Sequence, residues 1–360
     1  MSVNVGSIVK AFEAAQDNLV LQSADFSLKT ISDMVVAGSI DASPTYQRRE
    51  RWSPEAESML IESFLLNVPV PPVYLAEDDF GTYSVIDGKQ RITAISKFMT
   101  NGLTLKHMKA FHDLEGCRFD DLPRQLQNAL SIRPYIRVVT LLKQSDENLK
   151  YEVFTRLNSG GEPLLPQEIR NALFRGPMND AIQSMSRHPF LRQQLKIRTE
   201  KETAYTTMQD LELVLRFLTL YNSWPAFSGD MRRSMDSFMM ANQDAPTHQI
   251  EQYKNVFIQS LERCQQIWGA DAFKRPGAPG VSTVRDQFLS GLYDGQMIAV
   301  SEVNDADFAV LLQQAANIKH STTSCFAEDP GFDEAVRRST NTPSRLRYRI
   351  EAVKHILRIA

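Results

Sequence analysis

The chain has 360 residues, of which 42% are hydrophobic and 23% charged, and its formal net charge at pH 7 is −3. These values are typical of a globular protein of about two domains, and they exclude a protein that is drawn to nucleic acid or anionic membrane by its overall charge. No run of about 20 apolar residues or signal-peptide pattern is present, and the three separated cysteines predict a cytoplasmic protein without disulfides or a zinc ribbon.

The first 175 residues mix helical and strand patterns. Residues 1–40 favour helix, with a short helix over Ser32–Ala37. Ser53 followed by Pro54 predicts a helix start, because serine caps the first turn and proline fits the first helical position. The buried face of this helix is expected to comprise Met59, Leu60, Phe64 and Leu65.

A hairpin and a second helix follow. Val73–Ala76 and Thr82–Ile86 have strand patterns joined by a turn at residues 78–81. A helix then begins near Arg91, and its apolar face recurs at helical spacing. That face comprises Ile92, Ile95, Phe98 and Met99. Further along, the patterns predict a strand over Pro134–Leu142, a helix over Glu147–Leu157 and a helix that opens at Leu165.

Helical patterns dominate from about residue 176 onward. They cover Met208–Leu220, Met231–Met240, Gln249–Trp268, Val284–Tyr293, Asp305–Ile318 and Arg345–Ile359. The predicted fold class is therefore α+β, with a mixed α/β domain over residues 1–175 and an all-helical domain over residues 176–360.

Three separated clusters of polar and cationic residues carry the functional signal. They are Tyr46, Arg48, Arg49, Arg51 and Trp52; then Asp87, Gly88, Lys89, Gln90, Arg91 and Thr93; then Arg156, Asn158, Ser159, Glu168 and Asn171. The second cluster lies where a strand turns into a helix, and a helix start with nearby cations favours an anion such as phosphate. Arginine can hold a phosphate by two hydrogen bonds, and carboxylate and amide oxygens are ligands that Mg²⁺ accepts.

Each cluster also has a structural interpretation. The three arginines could be a solvated charged face, Asp87-Gly88 a plain turn, and the loop at Asn158 the end of a helix. Trp52 is more often a packing residue than a base-stacking one. The functional interpretation gains weight because all three clusters occur together.

In this order the clusters resemble the GmrSD restriction-endonuclease amino-terminal domain family, a ParB/sulfiredoxin-like group. The family's Asp-Gly-Gln-Gln-Arg-Leu-Thr hallmark is matched by residues 87–93, and the resemblance covers about residues 25–175. The other matching positions are Tyr46, Arg48 and Trp52; Leu60–Leu65 with Val68–Pro72; and Phe154, Arg156, Leu157, Asn158, Gly160, Gly161, Leu164 and Glu168.

The resemblance implies a ParB-like fold that binds a nucleoside triphosphate with Mg²⁺, in several members with hydrolysis that gates a DNA nuclease in bacterial or phage defence. Expected partners are the nucleotide, DNA or a separate nuclease subunit, and a second copy of the chain, but no membrane. The implied site comprises catalytic Asp87, Arg91 and Glu168; nucleotide-binding Tyr46, Arg48, Trp52, Gly88, Lys89, Gln90, Thr93, Arg156, Asn158 and Ser159; and metal-binding Asn158 and Glu168.

Two departures from the family pattern leave other functions open. Lys89 replaces the usual first glutamine, and none of the histidines after residue 175 has the context of an HNH nuclease. Asp79, Asp87 and Lys89 mimic the two carboxylates and lysine of some metal-dependent nucleases, which is an alternative function. A non-enzymatic interaction protein is another. In the last helix Arg345, Arg347, Arg349, Lys354 and Arg358 form either a phosphate-contacting face or an ordinary solvated side.

Overall fold

The structure, a computed structural model, describes most of the chain. The described residues are 19–42, 52–145, 150, 152, 153, 156, 157, 165–276 and 286–358. The chain divides into two compact units, Met1–Leu173 and Phe174–Ala360. The first unit contains a mixed β-sheet with helices and the second is helical, which confirms the predicted α+β fold class.

The amino-terminal unit is built on one mixed sheet. Its strands are β1 (Leu21–Ser27), β2 (Ile40–Asp41), β3 (Val73–Asp79), β4 (Thr82–Asp87) and β5 (Tyr135–Leu141). Their order across the sheet is β1-β5-β3-β4-β2. The pairs β1–β5 and β3–β4 are antiparallel, whereas β3–β5 and β2–β4 are parallel. The predicted β3–β4 hairpin is therefore confirmed, and Gly81 takes a left-handed conformation at its turn.

Helices pack on both faces of this sheet. They are α1 (Leu28–Val36), α2 (Pro54–Leu65), α3 (Lys89–Met99), α4 (Arg124–Ile132) and α5 (Pro166–Leu173). Val85 of β4 belongs to the apolar core that β4 shares with α1, α2 and α3, whereas its neighbour Ile86 packs with Ile169 of α5. Successive residues of a strand point to opposite faces. The helix α3 and the helix α5 therefore lie on opposite sides of β4.

The start of α2 follows the serine–proline prediction. The Ser53 side chain accepts a hydrogen bond from the Ala56 N–H at 3.3 Å, with Pro54 at the first helical position. The predicted buried face is wrong at Met59, which is 52% exposed, while Ile61 is fully buried. Ile61 packs in a second apolar cluster that also contains Phe98. The buried face of α2 is therefore rotated around the helix axis from the predicted face, and includes Ile61 instead of Met59.

The prediction of helix over residues 1–40 is wrong for β1. Leu21–Ser27 pairs along its whole length with β5, which is more than a hundred residues further along the chain. β1 is an edge strand whose residues are mostly exposed. It therefore lacks the alternation of buried and polar residues by which a sequence pattern indicates a strand.

The carboxy-terminal unit is a packed set of helices. They are α6 (Pro177–Ser186), α7 (Pro189–Gln194), α8 (Thr203–Thr206), α9 (Gln209–Ser223), α10 (Met231–Asn242), α11 (Thr247–Trp268), α12 (Ser290–Ser301), α13 (Asp305–Gln313), α14 (Ala315–Glu328), α15 (Pro330–Arg337) and α16 (Pro343–Ile356). The helix predicted over Val284–Tyr293 begins only at Ser290, and the one predicted over Asp305–Ile318 is divided at Gln314. None of the described helices is long and apolar enough to cross a membrane.

Two glycines allow very close helix packing around α12. A Cβ atom on Gly291 would lie 2.3 Å from the backbone oxygen of Val336, and one on Gly295 would lie 3.1 Å from that of Arg349. The first distance leaves no room for any side chain. Gly291 therefore allows α12 to approach the backbone of α15, and Gly295 that of α16.

A buried ionic triad ties the same helices together. Arg216 of α9 donates to both carboxylate oxygens of Asp294 at 2.7 Å, and Arg349 of α16 also donates to Asp294. Asp294 and Arg349 side chains are fully buried, and that of Arg216 is 8% exposed. Burial lowers the pKa of Arg216, but the Asp294 charge more than offsets this and raises it. The triad thus joins α9, α12 and α16 through one carboxylate.

Three of the five cations predicted on one side of the last helix have acidic partners outside that helix. Arg349 is buried against Asp294, and Lys354 forms an ion pair with Glu302 at 2.8 Å. Arg345 pairs with Glu334 at 2.5 Å. Arg347 and Arg358 are exposed, so they are what is left of the predicted basic side, and the choice between a phosphate-contacting face and an ordinary solvated side stays a prediction. The inward side of this last segment consists of Leu346, Ile350, Val353 and Leu357, which are all buried.

Candidate functional site

The β4–α3 corner, residues 87–91, turns on a glycine. Gly88 lies between the end of β4 and the first residue of α3 in a left-handed conformation, with φ of 93°. A Cβ atom at this position would lie 2.8 Å from Cγ2 of Val73 and 3.3 Å from the Arg91 guanidinium. The family resemblance implied that Gly88 contacts a nucleotide. The close neighbours in the structure are side chains of the protein itself, and they restrict the position to glycine.

An ion pair braces this corner. Arg91 Nη2 donates to Asp87 Oδ2 at 2.6 Å, and Arg91 Nη1 donates to the Pro71 carbonyl at 2.9 Å. The Arg91 side chain is 12% exposed and that of Asp87 is 38% exposed. Arg91 therefore connects the end of β4 to the segment that precedes β3, and much of its hydrogen-bonding capacity is used inside the domain.

Trp52, the last residue of the first cluster, contacts Gln90 of the second cluster. The Trp52 backbone N–H donates to Oε1 of Gln90 at 3.3 Å, and Trp52 is 37% exposed. Lys89, Gln90 and Thr93 are half-buried on α3. Trp52, the one described residue of the first cluster named above, thus contacts the second cluster at the start of α3. Tyr46, Arg48, Arg49 and Arg51 lie outside the described residues.

The third cluster is described only in part. Asn158 and Ser159 lie outside the described residues, and the Arg156 side chain is 77% exposed and pairs with Glu152 at 2.5 Å. Glu168 is fully buried, and its Oε2 accepts the Leu165 N–H at 2.7 Å, which caps the start of α5. The described contacts therefore give Glu168 a structural role, and no contact in the described residues joins it to Asp87 or Arg91.

A buried polar group lies on α5 and was not predicted from the sequence. Gln167 Nε2 donates to Asn171 Oδ1 at 3.0 Å, Arg170 Nη1 donates to Gln167 Oε1 at 3.3 Å, and all three residues are fully buried. The sequence gives little indication of this buried group, because polar residues on a helix normally face water. The one signal is the run of polar residues from Gln167 to Asn171, which only Ile169 interrupts.

The geometry is unfavourable to the alternative nuclease centre of Asp79, Asp87 and Lys89. Asp79 lies opposite Thr82 at the turn of the hairpin, whereas Asp87 lies opposite Tyr74 at its other end. At about 3.3 Å per residue, the two ends of β4 are about 16 Å apart. Asp79 instead pairs with Lys143 at 2.8 Å, and this hydrogen bond lowers the pKa of Asp79. The two carboxylates cannot share a metal ion.

A comparison with known families identifies the amino-terminal unit. The family model described as GmrSD restriction endonuclease, N-terminal domain, matches residues 31–175. The amino-terminal unit therefore contains a region that matches this domain family. The match includes all three clusters and ends where the helical unit begins. The resemblance drawn from the motifs is therefore confirmed.

The family description is that of the N-terminal domain of a restriction endonuclease. No curated protein and no solved structure matches the chain. The likeness of this domain to ParB and sulfiredoxin therefore stays a prediction from the motifs.

Proposed function

We propose that the GmrSD N-terminal domain of this chain binds a nucleotide at the β4–α3 corner and thereby regulates a restriction or defence system. The observation that carries the proposal is the hydrogen bond from the Trp52 backbone N–H to Gln90, which places an aromatic residue beside the start of α3. The partner that responds to the nucleotide is DNA or a separate nuclease subunit.

The start of α3 has the chemistry that a phosphate needs. Gly88 is its N-cap residue and has no side chain with which to cap the first turn. Backbone N–H groups of a first helical turn lack partners within the helix, and together with the helix dipole they favour an anion. Lys89, the first residue of α3, adds a positive charge at this point. The partly exposed ring of Trp52 offers a surface for a base.

The ion pair gives Arg91 and Asp87 a different role from the one that the sequence suggested. Since Arg91 already donates to Asp87 and Pro71, it holds the corner in shape, and we assign direct phosphate contact to Lys89 because it is the first residue of α3. Arg91 is therefore a positioning residue in this proposal. Its removal would disturb binding indirectly, through the geometry of the turn.

The described residues do not themselves build a metal centre. No group of three His, Cys, Asp or Glu side chains among them could hold a metal ion. The predicted ligand Glu168 is buried and caps α5, so it does not fit a solvent-accessible metal site. Mg²⁺ in this proposal is the ion that accompanies the phosphates of the nucleotide, which is the way it most often binds to proteins.

Thermal unfolding of the whole chain with each nucleoside triphosphate and Mg²⁺ tests the proposal. A nucleotide at 100 times its dissociation constant should stabilise the protein by about 2.7 kcal/mol. The variant Lys89→Ala should weaken binding about tenfold, because it removes one charged contact to phosphate. Lys109→Ala is the matched control, since Lys109 is an exposed lysine on a loop of the same unit.

Two outcomes would contradict the proposal. One is that no nucleotide raises the unfolding temperature of the wild-type chain, which would favour a non-enzymatic interaction protein. The other is that Lys89→Ala and Lys109→Ala weaken binding equally, which would indicate attraction by overall charge. Hydrolysis of each triphosphate, measured on the wild-type chain and on Arg91→Ala, then distinguishes a nucleotide sensor from a hydrolase.

A further inference from the structure

The helical unit contains a cavity that none of the motifs above involves. It has a volume of about 480 Å³ and lies between the end of α9, the helix α10, the helix α11 and the segment 226–228. Binding sites for small molecules have volumes of about 300–1,000 Å³. The cavity is therefore large enough for a ligand of the size of a sugar phosphate or a mononucleotide.

The polar side chains of the cavity wall present mainly hydrogen-bond acceptors. Five of them donate to the backbone carbonyl four positions earlier on their own helix, at distances of 2.7–2.9 Å. They are Thr219, Asn222, Ser223, Ser234 and Asn242. In Thr219, Ser223 and Ser234 these bonds use the single hydroxyl proton and leave oxygen lone pairs for a ligand. Each asparagine keeps a second N–H, and its Oδ1 already accepts a hydrogen bond, from Tyr253 at Asn222 and from Gln249 at Asn242. A ligand that complements this wall carries several O–H or N–H donors.

One positive charge faces this acceptor-rich wall. Arg233, in the first turn of α10, is the only charged residue among the described residues that line the cavity. Its side chain is exposed, and within the described part of the chain no hydrogen bond or ion pair engages its guanidinium. The neighbouring Asp230 lies outside the lining, and its carboxylate accepts the Arg233 backbone N–H at 2.9 Å as the cap of α10. A guanidinium in this state favours a phosphate or a carboxylate.

An apolar side completes the cavity. Phe227 and Phe238 are buried in its lining, and the Tyr253 ring lies edge-on to Phe238 with 5.5 Å between ring centroids. The Tyr253 hydroxyl donates to Oδ1 of Asn222 at 3.3 Å, so it is held by the wall. A ring with polar edges and an apolar face would fit between this side and the acceptors.

We propose that this cavity binds a phosphorylated sugar, either free or as part of a nucleoside 5′-monophosphate. The sugar hydroxyls donate to the oxygens of the wall, the apolar face of the ring lies against the aromatic side, and the phosphate pairs with Arg233. This site lies within the helical unit and is independent of the proposed nucleotide site in the amino-terminal unit.

Calorimetric titration of the whole chain tests this site with three probes: ribose 5-phosphate, a nucleoside 5′-monophosphate and inorganic phosphate. We expect saturable binding of at least one of the first two, and binding of inorganic phosphate at least tenfold weaker. Arg233→Ala should weaken the binding of the sugar phosphate ten- to a hundredfold, as expected for loss of a charged hydrogen bond. Arg232→Ala should leave it unchanged, because Arg232 is the adjacent exposed arginine of α10 and does not line the cavity.

A second variant tests the cavity without changing charge. Ser237 is exposed and lines the cavity, so Ser237→Trp should obstruct it and abolish binding while the unfolding temperature is unchanged. Lys89→Ala should leave binding at this site intact, which separates it from the site in the amino-terminal unit. The proposal is overturned if neither sugar phosphate binds, if inorganic phosphate binds equally well, or if Arg232→Ala and Arg233→Ala have equal effects.

Discussion

Both units contain an aspartate paired with arginine, and the two pairs differ in how much water reaches them. In the helical unit Asp294 is fully buried between Arg216 and Arg349. In the GmrSD N-terminal domain Asp87 is 38% exposed and pairs with Arg91 across the turn at Gly88. The same chemistry therefore fixes the packing of three helices in one unit and the shape of one chain corner in the other.

The difference in burial distinguishes the ion pair at Asp294, which is structural, from the one at Asp87, which lies at the candidate functional site. A buried carboxylate that contacts two guanidiniums has no remaining access to a ligand, and losing it would leave two positive charges in the interior. A half-exposed pair leaves neighbouring groups such as Lys89 and the first turn of α3 near solvent. A third arrangement, Asp286 with Lys196 and Lys274, is 62% exposed at its carboxylate and lies at the surface of the helical unit.

The largest effect is expected at the buried triad. Asp294→Ala should lower the free energy of unfolding by about 3–5 kcal/mol, because Arg216 and Arg349 would remain buried without their counter-charge. Urea unfolding followed by circular dichroism measures this loss. Glu251→Ala, which removes the exposed partner of Lys254 in the same unit, should change stability by less than about 1 kcal/mol. A loss at Asp294 as small as this control would show that the triad does not stabilise the helices.

An intermediate effect is expected at the corner. Arg91→Ala should destabilise the amino-terminal unit by about 1–3 kcal/mol, because both the Asp87 carboxylate and the Pro71 carbonyl lose a donor. The matched control is Arg156→Ala, which breaks another arginine–carboxylate pair four residues apart, with a 77% exposed arginine. We expect that control to cost about 0.5 kcal/mol or less. Equal losses in the two variants would mean that Arg91 does not brace the turn.

The smallest effect is expected at the surface pair and concerns pH. Hydrogen bonds from Lys196 and Lys274 lower the pKa of Asp286 from 3.8 to about 2. A carboxyl whose pKa is lower in the folded state stabilises the fold above its ordinary pKa, and this contribution disappears as the pH falls through about 2. NMR titration of the Asp286 carboxyl in the wild type and in Lys196→Ala measures the shift. A midpoint near 3.8 in both proteins would contradict it.

Local signals predicted the elements of the domain that depend on neighbouring residues. The serine–proline start of α2, the β3–β4 hairpin and the apolar face of α3 are each determined within a few residues. Distant partners determine what was missed. The strand β1 exists because β5 pairs with it, and Arg349 is buried because Asp294 neutralises it, although its position on α16 looks like a solvated side.

The candidate site was likewise predictable where it depends on neighbouring residues, and not where it depends on distant ones. The left-handed glycine at a strand-to-helix turn follows from Asp87-Gly88 and the patterns on either side. The contact of Trp52 with Gln90 was anticipated only through the order of motifs in the family. The use of Arg91 inside the domain could not be predicted, because its acceptor on Pro71 lies on a segment that only the fold brings close.

The position of Arg349 near the end of the chain has a consequence for folding during synthesis. By Leu173 the amino-terminal unit has all five strands of its sheet, so it can fold while later residues are still being added. The helical unit completes its folding later, because Asp294 and Gly295 both contact Arg349. These contacts form only after α16 has left the ribosome. Nascent chains halted shortly before α16 should therefore contain a protease-resistant first unit followed by a protease-sensitive second one.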